Sequence, residues 1–204
     1  MGIPPEEIQV LSPTRKGPTG TASLNLLLQA QLNPPSPEKK EKKWGDFSFR
    51  EGDRVMQIRN NYDILWKKTD GTQVGTGIFN GDIGIITEID LNAELLTVVF
   101  DDRQAEYDFD MLRELELAYA MTVHKSQGSE YQAVVLAAWS CAPNLRTRSV
   151  LYTAITRARK LLVVVGREDI LQAMTENHRR SRRYSGLKPV SYTHLRAHET
   201  DSYL

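Results

Sequence analysis

The sequence predicts an α/β fold with a small all-β barrel inserted into it. Three observations carry the prediction. Apolar runs at Ile8-Gln9-Val10-Leu11, Val134-Val135-Leu136-Ala137 and Leu161 to Val165 read as buried strands. They alternate with stretches of helical character, and that alternation implies a parallel sheet covered on both faces. From about Ile64 to Leu112 the pattern changes to short strands separated by Asp, Asn and Gly turns, as in a small barrel.

In chain order, Ile8 to Leu11 forms the first strand, ended by the turn-rich Ser12-Pro13-Thr14-Arg15-Lys16-Gly17-Pro18-Thr19-Gly20. Ser23 caps a helix from Leu24 to Leu32 that gathers Leu24, Leu27 and Leu28 on one face. Asn33-Pro34-Pro35-Ser36-Pro37 and the charged stretch Glu38 to Lys43 follow as a surface connection. Arg54 to Ile58 is a second strand, announced by Gly52-Asp53 and closed by Asn60-Asn61-Tyr62. Ile83 to Ile89 and Leu95 to Phe100 are barrel strands. Ser149 to Arg159 is a helix, Leu161 to Val165 a strand, and Asp169 to Met174 lies in a last helix. Residues 1–62 and 113–187 thus form one discontinuous α/β domain, 63–112 the inserted barrel, and 188–204 a tail.

Composition sets bounds on function. With 40% hydrophobic and 25% charged residues, the chain is globular and neither disordered nor fibrous. Lys plus Arg equals Asp plus Glu at 26 each, so any basic surface is local. A lone cysteine, Cys141, fits a reducing compartment. No apolar run approaches the roughly twenty residues that span a bilayer, and the first residues lack the features of a signal peptide. A cytoplasmic protein without a membrane partner is expected.

The tail follows a basic run, Arg179-Arg180-Ser181-Arg182-Arg183, and has no periodicity. Val190 to Thr200 resembles one reading frame of a transposase mosaic-end sequencing adaptor. The residues from about Pro189 on are therefore set aside as non-native and expected to be unstructured. The His194/His198 pair, spaced like metal ligands on a helix, is read as an accident. No metal site is expected.

Two segments carry the chemistry. Thr122-Val123-His124-Lys125-Ser126-Gln127-Gly128-Ser129-Glu130 is a polar run before a buried strand, with donors packed around a glycine. Such a loop offers hydroxyl, imidazole and backbone N–H groups to phosphates. Leu151-Tyr152-Thr153-Ala154-Ile155-Thr156-Arg157-Ala158-Arg159 places Arg157 on a helix expected to bury Leu151 and Ile155. A permanently charged planar fork on a rigid element suits phosphoryl transfer. Each segment taken alone also reads as solvated surface.

The two segments resemble motifs V and VI of superfamily 1 helicases of the RecD/TraA type. "VLSPTRKGPTGTASLN", "GDRVMQIRNNYD" and "FNGDIGII" stand, in order, where that family's second motor domain and its barrel lie. The resemblance implies a RecA-like domain of the P-loop NTPase class, called 2A, with an SH3-like barrel, 2B, inserted. It implies a UvrD-like C-terminal domain, ATP with Mg2+ as cofactor, and single-stranded DNA as partner.

On the same basis Arg157 is the arginine finger for the γ-phosphate. Gly128 approaches the triphosphate through its backbone and Glu130 bonds the ribose, with Gln127 beside them. Thr122 and His124 face the DNA backbone with Lys125 nearby. Asn60, Asn61 and Tyr62 read equally as strand contacts or as a β-turn. Arg15 and Lys16 read equally as phosphate supports or as a solvated turn.

A phosphate-binding P-loop with its lysine is missing. Gly17-Pro18-Thr19-Gly20-Thr21 is the nearest glycine pair and lacks it. The expected function is therefore the C-terminal half of an ATP-dependent 5′-to-3′ DNA helicase that needs its N-terminal half. The chain alone is expected not to hydrolyse ATP. The rivals are a non-catalytic single-stranded DNA-binding module, and a protein-interaction module that uses Trp44 or Trp66 at a peptide groove.

Overall fold

The computed structural model describes residues 2–177; the basic run 179–183 and the adaptor-like tail lie outside them. The chain begins β1 (Ile8–Ser12), α1 (Thr21–Leu32), β2 (Glu41–Trp44), β3 (Phe47–Arg50), β4 (Arg54–Gln57), β5 (Asn61–Lys68), β6 (Val74–Ile78) and β7 (Ile83–Asp90). It continues β8 (Leu95–Phe100), β9 (Arg103–Asp108), β10 (Leu115–Leu117), β11 (Ala120–Thr122), β12 (Tyr131–Ala138), α2 (Arg148–Ile155), β13 (Ala158–Gly166) and α3 (Glu168–Glu176).

β11, β1, β12 and β13 form a sheet in that order, and every neighbouring pair is parallel. Its apolar side chains meet α2 and α3 in one core that includes Leu11, Met121, Val134, Leu136, Val150, Ala154, Ile170 and Met174. The second body is a seven-stranded antiparallel sheet, ordered β10-β4-β7-β8-β9-β5-β6. It encloses Phe49, Ile78, Ile86, Leu96, Phe100, Tyr107 and Leu112. β4 is shared between the bodies. Strand alternation sends Val55 into the barrel core and Met56 into the parallel-sheet core.

An α/β sheet with a barrel-like all-β insertion is therefore the observed architecture. The barrel sheet takes in more chain than 63–112. Arg54–Gln57, expected beside the parallel strands, pairs antiparallel with β7 and β10. Both faces of β4 are covered by apolar side chains, so a short apolar run did not show which sheet it joins. Asn61 does not close a strand but opens β5. The segment read as a charged connection contributes a hairpin, β2 with β3, whose Glu41 pairs with Arg50 at 2.7 Å.

α1 starts at Thr21 with Gly20 as its N-cap, and Ser23 instead donates to Gly17 O at 3.0 Å. Its buried residues are Thr21, Asn25 and Gln29, while Leu26, Leu27 and Leu32 are exposed. The inward face is polar because it satisfies backbone and side-chain groups where the two bodies join. Asn25 Nδ2 donates to Leu117 O and Ala120 O, and Asn25 Oδ1 accepts from Ala120 N. Asp53, fully buried, accepts from Gln29, Asn33, the Arg50 N–H and the Tyr119 hydroxyl. Burial pushes the Asp53 carboxyl above its ordinary value, against the pull of these donors. α1 thereby grips both the strand that enters the barrel and the strand that leaves it.

Candidate functional site

The polar loop 123–130 does more than connect. Thr122 ends β11 level with Ser12, the last residue of β1. Tyr131 begins β12 two residues before Ala133, which is level with Ile8. About six residues of strand separate these levels, roughly 20 Å. The loop therefore runs from the C-terminal edge of the parallel strands back to their N-terminal edge.

Its first half is a helical turn, with Lys125 N and Ser126 N both donating to Thr122 O. Ser126 is buried and donates to Val123 O at 2.8 Å, which pins the turn to the core. Gly128 ends it with φ 88°, a left-handed conformation that favours glycine, and a Cβ there would meet nothing within 4 Å. The backbone at Gly128 is thus open to a close-approaching ligand.

Arg157 meets the far end of this loop. It stands in the turn after α2, which ends at Ile155, and not on the helix; Ile155 is 43% exposed. The chain leaves the helix at Thr156 because β13 must start at Ala158 to pair with Tyr131. The Arg157 guanidinium donates to Ser129 O at 2.8 Å, Thr153 O at 3.2 Å and Thr156 Oγ1 at 3.1 Å. Three of its five N–H groups are used, so two remain for an anion. Glu130 accepts from Arg159 at 2.8 Å in an exposed pair. Gly128, Glu130 and Arg157 are therefore together at one edge, and Gln127 is exposed beside them.

Thr122, His124 and Lys125 sit at the other edge. His124 is exposed. Lys125 is engaged: Glu116 of β10 accepts from its ammonium and, at 3.0 Å, from Arg15. Lys16 is exposed. Of the barrel residues, Asn60 accepts from Asn80 N, and Asn61 bonds Glu114 and Asp63 N, so both are tied into turns. Tyr62 is 65% exposed, its ring edge-on to Phe79 at 5.6 Å. A cleft lined by Gly81, Asp82, Arg103, Ser129 and Tyr131 joins the barrel to the end of the polar loop.

Sequence reasoning missed Glu116, the carboxylate that holds two of the candidate cations. It also missed Trp139, 54% exposed just beyond β12. Trp44 and Trp66, by contrast, are partly buried and pack against the barrel core. Among the described residues no group of three or more His, Cys, Asp or Glu is placed to hold a metal ion. No described helix is long and apolar enough to cross a membrane.

Comparison with known proteins agrees with the two-body architecture. Residues 24–100 match the family described as ATP-dependent RecD-like DNA helicase SH3 domain, and residues 117–165 the UvrD-like helicase C-terminal domain. The ATP-dependent RecD2 DNA helicase of Deinococcus radiodurans is 33% identical over 91% of this chain. The RecBCD enzyme subunit RecD of Mycolicibacterium smegmatis is 31% identical over 90%. The chain spans 24% and 29% of those relatives' lengths, respectively. In fold it resembles a Bacteroides Pif1 bound to single-stranded DNA, with a TM-score of 0.50 at 16% identity, covering 95% of this chain and 46% of that one. Pif1 helicase from Candida albicans also gives 0.50, at 15% identity, covering 93% and 49%. By family, this chain carries the SH3 domain of the RecD-like DNA helicases together with a UvrD-like helicase C-terminal domain.

Proposed function

We propose that this chain is the second half of an ATP-driven 5′-to-3′ DNA helicase motor, completing an ATP site whose other half lies in a separate N-terminal domain. One observation carries the reading. A single loop runs from Thr122 and His124 at one edge of the sheet to Ser129, whose carbonyl holds Arg157, at the other. Bound ATP supplies the phosphoryl group to be transferred. Gly128 offers its open backbone to the phosphates and Glu130 its carboxylate to the ribose. Arg157 directs its two uncommitted N–H groups at the developing charge. Mg2+ is assigned to the N-terminal half, and the 5′-to-3′ sense rests on likeness to the RecD/TraA branch.

Thr122 and His124 grip the phosphate backbone of a single strand, with Lys125 in reserve behind Glu116. Because the loop is pinned by Ser126, a shift at the Arg157 end is transmitted to the Thr122 end as a movement of a packed unit. Tyr62 adds an exposed ring on the barrel, while Asn60 and Asn61 shape its turn.

The test is fluorescence anisotropy of the chain with labelled single-stranded DNA across a salt series. Weak, salt-sensitive binding that is lost in a Thr122→Ala/His124→Ala double variant is expected. Binding indifferent to both substitutions removes the loop from the strand path. In the full-length enzyme, Arg157→Ala is expected to cut ATP turnover by about 10³-fold or more while DNA affinity holds. Unchanged turnover excludes the finger role. The alternative, a non-catalytic single-strand module, predicts the first result without the second.

A further inference from the structure

We propose that Trp139 is a base-stacking residue, placing one unpaired nucleobase of a single strand beside the phosphate grip at the C-terminal edge of the parallel sheet. The inference rests on the strand-binding role given above to Thr122 and His124. It begins from exposure: Trp139 is 54% exposed, whereas Trp44 and Trp66 are packed against the barrel core. More than half of this large residue is left in water at the end of a core strand, where its apolar surface is open to a ligand.

Register places it. Thr122 is level with Ser12, and Leu11 with Leu136, so Ala137 stands level with Thr122 across β1. Two strand spacings separate them, roughly 10 Å, or about three nucleotides of stacked strand. Trp139 follows two residues later, past the strand end and on the same edge as the candidate phosphate contacts. This is the edge at which open α/β sheets receive ligands.

Its position is fixed from both sides. Gly166 of β13 abuts the Ala138 backbone so closely that a Cβ there would lie 2.6 Å from Ala138 O. Ser140 shares a hydrogen bond of 3.2 Å with Thr19, in the loop that carries Arg15 and Lys16. The backbone on either side of Trp139 is thus held, and on one side it is tied to a loop that carries two cations. That combination suits a base whose phosphates are held by neighbouring cations. Stacking on an aromatic face tolerates any base and favours unpaired ones, because bases inside a duplex are covered on both faces by their neighbours.

The chain's tryptophan emission gives the test. Titration with oligo(dT) is expected to quench fluorescence in the wild type. The Trp139→Phe variant should keep near wild-type affinity and lose most of the quench. Trp139→Ala should lose the quench and bind about 5- to 100-fold more weakly. A strand of abasic nucleotides, which keeps the phosphates, should bind wild type and Trp139→Ala alike and quench neither. Equal oligo(dT) affinity for Trp139→Ala with no quench in the wild type overturns the assignment, even if Thr122→Ala/His124→Ala weakens binding and leaves the loop grip intact. Quench and loss at Trp139 with indifference at Thr122 and His124 keeps the stacking residue and discards the loop grip. A chain that binds no strand at low salt overturns both.

Discussion

Glu116 stands between Arg15 and Lys125 and pairs with both. It is a carboxylate on a barrel strand that neutralises two cations belonging to loops of the parallel sheet. Under the proposed strand-binding role, a DNA phosphate approaching this edge would compete with it, and Glu116 would trade affinity for order in the free protein. Glu116→Gln is expected to tighten single-strand binding about two- to fivefold at low salt, the worth of a partly exposed ion pair. The plot of affinity against salt should steepen by about one cation. Unchanged affinity and slope in the same anisotropy series would mean the two cations do not meet the strand. Motif resemblance pointed to the cations but not to their shared partner. Glu116 comes from β10, and nothing local in "LREL" announces a distant lysine. Asn25 and Gln29 were hidden in the same way. Their neighbours Leu24, Leu27 and Leu28 fit an apolar stripe, but the buried stripe is polar because it serves carbonyls at the junction.

At the scale of elements, strands were easier to read than their partners. Ile83 to Ile89 and Leu95 to Phe100 are apolar runs separated by Asp and Asn turn residues, which shows them as strands; the structure pairs them as antiparallel neighbours, β7 and β8. β4 read correctly as a strand, yet only packing on both faces sends it to the barrel. α2 was read too long because Leu151 to Arg159 keeps helical composition past its end; pairing of Ala158 with Tyr131 ends the helix first. That early stop moves Arg157 into a turn and gives it the Ser129 carbonyl. The barrel has its own weak point. A Cβ on Gly84 would lie 2.6 Å from Val98 Cγ1 and 2.7 Å from Val99 O. The second contact is backbone and cannot swing aside. Gly84→Ala is therefore expected to lower unfolding stability by about 2 to 3 kcal/mol. A urea transition within a few tenths of wild type would show that β7 and β8 shift apart freely.

For the whole molecule, the polar clamp from α1 makes the barrel and the parallel sheet a joined pair rather than beads on a linker. The parallel sheet's open side is a different matter. β13 is an edge strand, and Leu161, Val163, Val164 and Val165 are between 40% and 52% exposed. The near-uniform apolar run promised a strand covered on both faces, and among the described residues that cover is incomplete. The chain, which spans 24% of its Deinococcus relative, is expected to self-associate with rising concentration through this edge. Val163→Lys should suppress the effect, since an edge lysine blocks strand addition. Sedimentation velocity over a hundredfold concentration range decides it, and a wild type that stays monomeric throughout removes the edge as the cause.

That bare edge also bears on the chain's life inside a cell. Chaperones and proteases sort proteins by apolar strand edges of this kind, and among the described residues the outer edge of β13 presents one even when every described element is folded. Produced by itself, the chain would be handled as unfinished work. Its half-life, rather than its melting temperature, then becomes the quantity that any partner covering β13 would change most.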